Sequence, residues 1–437
     1  QKTIATAYSS KVDRMNFKAG FMPACTSIFG ANLLRQTSLV ALLTAALLPC
    51  TWVSAQQTAG TEHAGFALSG FGTLGAARSS NPDAELLRDV SQPDGAGRQW
   101  SAKIDSIVGL QGNLHLRPDL ELVAQVVSHY RQSGNFAPEL TWAFAKYDLN
   151  PRFSFRVGRI GTEFLMQSDS RMVGYSYLPV RPSVDFFGGI PINYADGADV
   201  QVRWPMGDGV FRASAFTGVA RESLRTYNTN GSPAAKGSLG YDTGPWQLRY
   251  IYARARLANS VDSMSPLLST LSSMGASGIA KTLDFKGSLS AYNSLGVSYD
   301  DGAWQAQAAI DAIQHQTASI ENSKAGYLLV GRRLGSWSPY AGYSQSKSTP
   351  KPLNTGFNGP NFDQLNQGLN MVSTRSHQDG KTLTLGARWD FAQNMDLKFQ
   401  LDRTAGGKPP TALLFSNVQP GWNGKTTVLS VALDFVF

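Results

Sequence analysis

The chain has 437 residues, of which 42% are apolar and 16% charged, with a formal net charge of +8 at pH 7. That length suits one large barrel or two to three ordinary domains. No apolar run reaches the roughly 18 residues of a membrane-spanning helix, so a chain like this that crosses a bilayer does so with strands.

Residues 1–55 read as a leader. Lys18 and Arg35 supply positive charge, the run 39–48 (LVALLTAALL) is a short apolar core, and Val53, Ser54 and Ala55 put small residues at a cleavage position. Met15 is the expected start of a signal peptide over 15–55, with 1–14 a translation artefact, and 56–437 a single domain. Pro49 before Cys50 argues against a lipoprotein site. Both cysteines, Cys25 and Cys50, lie in the leader, so the mature chain is expected to lack disulfides, thiolate metal ligands and a cysteine nucleophile. The leader holds five basic residues and one acid, and its removal lowers the net charge to +4. That balance makes no case for nucleic-acid binding.

From there the pattern is strand, gap, strand, with no amphipathic helix of core length expected. The first strand, 65–76 (GFALSGFGTLGA), contains Gly70, Gly72 and Gly75 in a G-x-G-x-x-G spacing. A dinucleotide site needs a helix directly after that spacing. Here Arg78-Ser79-Ser80-Asn81-Pro82 follows, and glycines at a bend in a barrel strand explain it better. The next strands pair as 103–116 with 119–128, 140–148 with 152–159, 199–204 with 210–217, and 236–241 with 246–254. Three more pairs follow: 288–299 with 303–313, 327–333 with 340–346, and 382–391 with 396–403. Each joint carries Gly, Pro, Asn or Asp, the residues of tight turns. Longer polar stretches separate the pairs, at 78–102, 129–138, 160–198, 219–235, 257–287, 314–326, 347–381 and 404–423. Seven pairs with the first and last strands make sixteen. Short turns at one end and long loops at the other mark an all-β, transmembrane antiparallel β-barrel.

The last strand carries the clearest alternation. Thr427, Leu429, Val431, Leu433, Phe435 and Phe437 share one face, and Val428, Ser430, Ala432, Asp434 and Val436 the other. Two rings at a free end gain little in water but suit a face turned to lipid. This ending, Phe435 and terminal Phe437, resembles that of the Gram-negative outer-membrane porins. The runs Trp337-Ser338-Pro339-Tyr340 and Gly386-Ala387-Arg388-Trp389-Asp390-Phe391 resemble their strand entries. The resemblance implies an outer-membrane barrel with periplasmic termini, in which Phe435 and Phe437 are the assembly signal read by the barrel-assembly machinery. It also implies a homotrimer in outer-membrane lipid that passes small hydrophilic solutes or ions, with no cofactor and no nucleic acid.

Alternation also decides which residues line the lumen. Leu383, Leu385, Ala387, Trp389 and Phe391 face lipid, as do Leu397, Phe399 and Leu401. Parity then places Lys103, Arg156, Arg203, Arg249, Arg388 and Lys398 inside, with Glu121, Asp199, Asp390 and Asp402. A sandwich core would have to pair every one of these charges. A water-filled lumen solvates them.

The stretch 160–193 stands where the porins' third loop folds inward to narrow the channel. In the family that loop sets acidic residues against a basic wall. Here it carries Glu163, Asp169 and Asp185 but also Arg171 and Arg181, and lacks an acidic Pro-Glu-Phe-Gly run. Its constriction role therefore follows from position. The cluster Phe186-Phe187-Gly188-Gly189-Ile190-Pro191 is expected to pack it on the wall.

An enzyme is not expected. His63, His115, His129, His315 and His377 sit in no G-x-S-x-G, H-E-x-x-H or paired spacing, and no metal site is read. A substrate-specific channel is the close alternative to a general porin, ahead of a structural or adhesive barrel or a barrel enzyme.

Overall fold

The computed structural model describes residues 65–162, 170–190, 192–222, 228–357, 359–406 and 414–437. The expected signal peptide lies outside them, as do Glu163 and Asp169. The wall starts with β1 (Gly65–Ser79), and a short strand β2 (Glu85–Leu86) follows in the first loop. Next come β3 (Ile107–Arg117), β4 (Leu120–His129), β5 (Glu139–Asn150), β6 (Phe153–Gly161), β7 (Tyr194–Met206) and β8 (Gly209–Ala220). They are followed by β9 (Ser232–Thr243), β10 (Trp246–Arg256), β11 (Leu289–Asp300), β12 (Trp304–His315), β13 (Asn322–Arg332) and β14 (Trp337–Thr349). The chain ends with β15 (Asp379–Ala392), β16 (Met395–Ala405), the short β17 (Phe415–Ser416) and β18 (Lys425–Val436). Sixteen of these close into one barrel, while β2 and β17 form a separate two-stranded sheet. Each wall strand runs antiparallel to its neighbours, and β18 pairs with β1 from Val436 opposite Phe71 to Val428 opposite Ser79.

The tight ends follow from residue type. Gly207, Gly244, Gly302 and Gly335 take φ values between +51° and +88° in the short turns, and Asn394 takes +62°. These are left-handed positions that most side chains avoid. Side chains alternate along every wall strand. Leu68, Val157, Leu239, Leu295, Ile310, Leu328 and Leu383 are at least half exposed on the outside. Trp204, Trp246, Trp304, Trp337 and Trp389 ring the short-turn end, with Trp337 stacked on Trp389 at 5.4 Å. An apolar band with an aromatic girdle is the exterior a bilayer requires.

Three expectations are corrected. The strand expected from Lys103 begins at Ile107, because Asp105 is drawn into ion pairs with Arg88 and Arg181 and the chain turns ahead of the ladder. Lys103 is therefore not on the wall; its Nζ lies 3.3 Å from Asp94. The stretch expected at 314–326 shrinks to 316–321, since β12 and β13 extend into it. Helices also occur in the loops: α1 (Val184–Phe187), α2 (Ser265–Ser273), α3 (Ser277–Leu283) and α4 (Pro360–Ser373). On α4 the apolar stripe is brief, Leu365, Leu369 and Val372 among polar residues, so its period does not stand out. It is enough to bury Leu369 against Leu271 and Leu283 of α2 and α3.

The loops are L1 (80–106), L2 (130–138), L3 (162–193), L4 (221–231), L5 (257–288), L6 (316–321), L7 (350–378) and L8 (406–424). L1 and L8 share a core of Leu86, Ile104, Phe415 and Trp422 that also takes in Val184 of L3. L5, L6 and L7 share the helical core around Leu271, Leu283 and Leu369.

Candidate permeation path

L3 enters the barrel. Its neck is closed where Thr162 donates its N–H to Asn193 O at 3.0 Å and its hydroxyl to Ile192 O at 2.6 Å. From this neck, between β6 and β7, the loop reaches the far side of the ring and lies along β1, β18, β16, β15, β14 and β13.

Two cations fix it there. Lys398 on β16 is fully buried and donates to the carbonyls of Gly174, Tyr177 and Pro179 at 2.7, 2.7 and 3.2 Å. Its charge is met by Asp434 on β18 at 2.9 Å. Arg181 of L3 is 2% exposed and forks onto Asp105 at 2.9 and 2.6 Å, while reaching Asp402 at 2.8 Å. Burial works against the Arg181 charge, but Asp105 and Asp402 hold its guanidinium above the ordinary range. A buried charge without such partners would cost several kcal/mol. The loop and wall are therefore interdependent.

Further contacts extend the seam. Val180 donates its N–H to Gln400 at 2.7 Å, and Arg388 donates to the carbonyl of Tyr175 at 2.7 Å. Phe71 packs with Ile107 and Val127 on the wall and Met172 and Val173 of the loop. Asp185 accepts from Ser344 at 2.7 Å, and burial raises its carboxyl despite that bond. Phe186 and Phe187 meet the Tyr327 ring at 4.9 and 5.6 Å, as expected of that cluster.

These contacts revise the roles read from sequence. Arg388, Lys398 and Asp402 do point inward, but they lie under L3 rather than against open lumen. Asp390 pairs with Arg388 at 2.7 Å. Within L3, Arg171, Arg181 and Asp185 are buried tethers and do not face a permeant ion. Arg171 donates to Ile190 O at 3.0 Å and to Asn193.

The near wall, β4 to β10, holds the rest of the expected set. Glu121 accepts from Asn113 at 2.6 Å and lies 3.5 Å from His115. Arg156 forks onto Asp199, with Nε at 3.0 and 3.1 Å from its two oxygens. Arg203 stands opposite Arg212 in the β7–β8 register, and Arg249 faces Gly240 and Gly296 on its two neighbours. Arg203 and Arg249 make no ion pair among the described residues. The sequence reading missed Arg212, which pairs with Asp242, and the inward Lys236. Parity taken from Phe211 and Leu239, which face outward, would have found both.

Between this wall and the tethered loop lies the lumen. The near wall carries Arg156, Arg203, Arg212, Lys236 and Arg249 against Glu121, Asp199 and Asp242. Charges of that density on an inward face need water rather than a packed core.

No protein-family model and no curated protein matches this sequence. Solved structures do. Salmonella typhi OmpF in complex with daunomycin aligns at 14% identity and a TM-score of 0.54, over 86% of this chain and 100% of that one. The anion-selective porin from Comamonas acidovorans aligns at 13% identity and 0.52, over 86% and 100%. At these identities the likeness is one of architecture, and the architecture, a closed antiparallel barrel of sixteen strands, is that of the outer-membrane porins.

Proposed function

We propose that this chain is an outer-membrane channel for passive diffusion of small hydrophilic solutes and ions, with a mild preference for anions. The observation that carries the reading is the near wall, where Arg203 and Arg249 make no ion pair among the described residues, opposite a loop whose described charges are engaged elsewhere. One sign dominates there, and rings of charge select when one sign dominates. The reading takes the protein to the outer membrane after removal of its signal peptide, with periplasmic termini. The barrel-assembly machinery would insert it through Phe435 and Phe437, and it would work as a homotrimer without ATP or catalysis.

Reconstitution into planar bilayers tests it. The expected trace is an ohmic conductance in KCl with a reversal potential on the anion-selective side. Arg203→Gln and Arg249→Gln should each move that potential toward cations. A purified, folded barrel that never conducts overturns the channel reading, and unchanged selectivity in both variants overturns the wall assignment.

A further inference from the structure

At the long-loop end, above the returning limb of L3, lies a cavity of about 460 Å³. Its lining is largely apolar and comes from separate elements: Ile190 of L3, Met264 and Leu267 of L5, Ile313 of β12 and Val372 of L7. A passage for hydrated ions gains nothing from such walls, because water held against them is unfavourable. A cavity of this size with mainly apolar walls and a few polar groups is the usual form of a small-molecule site.

The polar groups decide the sign of its ligand. Glu321 lines the cavity, yet its side chain is fully buried and its Oε2 is bound by Ser348 and by His377 at 2.8 Å. His315 is engaged by Ser290 at 2.8 Å. Arg375 also lines the cavity, is exposed, and makes no ion pair among the described residues. Ala253, on the cavity wall, and Arg249 lie on the same inward face of β10, four residues apart, or roughly 13 Å by strand rise.

Resting on the channel reading above, we propose that this vestibule binds small organic carboxylates with a compact apolar body, and that Arg375 takes the carboxylate while Met264 and Leu267 take the apolar part.

Phenylacetate is the probe, with acetate and phenethylammonium as controls, each added on the long-loop side of single channels in KCl. Phenylacetate should interrupt the current transiently, acetate should not, and phenethylammonium should do so far less often. Arg375→Gln should lower the frequency of phenylacetate interruptions about tenfold, the scale of one lost charge-assisted contact, with KCl conductance unchanged. Met264→Asp should lower it as well, by wetting the apolar wall. Absence of KCl conductance in every protein overturns the channel reading itself. Normal conductance without phenylacetate interruptions, or with interruptions unaffected by both variants, overturns the vestibule site alone. Equal interruption by phenethylammonium overturns the assignment of an anion.

Discussion

Phe437 closes the barrel against Gly70: each donates its backbone N–H to the other's carbonyl at 2.9 Å, and the terminal ring covers the glycine. Two residues on, Phe435 covers Gly72 in the same way. A Cβ at either glycine would overlap the ring opposite it. The G-x-G spacing of the first strand is thus the imprint of the two aromatics at the end of the last, ring on glycine across neighbouring strands.

A substitution at Gly70 should therefore act through Phe437. Gly70→Val is expected to cost about 1–3 kcal/mol by overpacking, read as a lower urea midpoint for the folded band on semi-native gels. Gly70→Ala should cost less in a Phe437→Ala background than alone. Additive losses in that double-mutant cycle would remove the ring–glycine contact from the account.

The second prediction concerns the L3 tether. Lys398→Met strips a donor from three loop carbonyls and leaves Asp434 buried with one fewer counter-charge. Breaking a buried pair from one side costs about 3–5 kcal/mol. Lys398→Met with Asp434→Asn removes both charges and should recover most of the fold. The double variant lacks one of the two cationic tethers, with Arg181 still on Asp105 and Asp402, so its single-channel current should be noisier than wild type. A quiet, unaltered conductance in the double variant would show that Lys398 does not hold the constriction.

The wall was legible in the sequence because lipid outside and water inside force a period of two. Leu383, Leu385 and Trp389 against Thr384 and Arg388 state the parity outright. Turns were legible for a steric reason, since Gly207, Gly244, Gly302, Gly335 and Asn394 stand where φ is positive. What covers the inner face was not legible. Parity puts Lys398 inside, but its carbonyl partners lie more than 200 residues away along the chain. Arg181 likewise looked like a lumenal charge because Asp105 and Asp402 flank it only in the folded barrel. Loop packing is chosen by tertiary pairing, which leaves no period. The helices of L5 and L7 escaped notice for the related reason that each buries only a short stripe.

The last prediction is a pH dependence at the neck of L3. Asn193 offers its backbone N–H and its side-chain amide to the Glu222 carboxylate, both at 3.0 Å. Burial pushes the Glu222 carboxyl up to about 8; the Asn193 bond and Arg171 oppose the rise, while Glu139 and Asp89 add to it. A carboxyl raised in the folded state favours folding most when it is protonated. Its contribution is whole below the ordinary value of 4.5 and is lost as pH climbs through about 8. The neck should therefore loosen across that interval, with faster proteolysis within L3 at pH 9 than at pH 6. Glu222→Gln mimics the protonated group at every pH, so its proteolysis rate, corrected for the protease's own pH profile on an unfolded substrate, should be flat. If wild type and Glu222→Gln keep the same corrected profile, the titrating group at the neck is not Glu222.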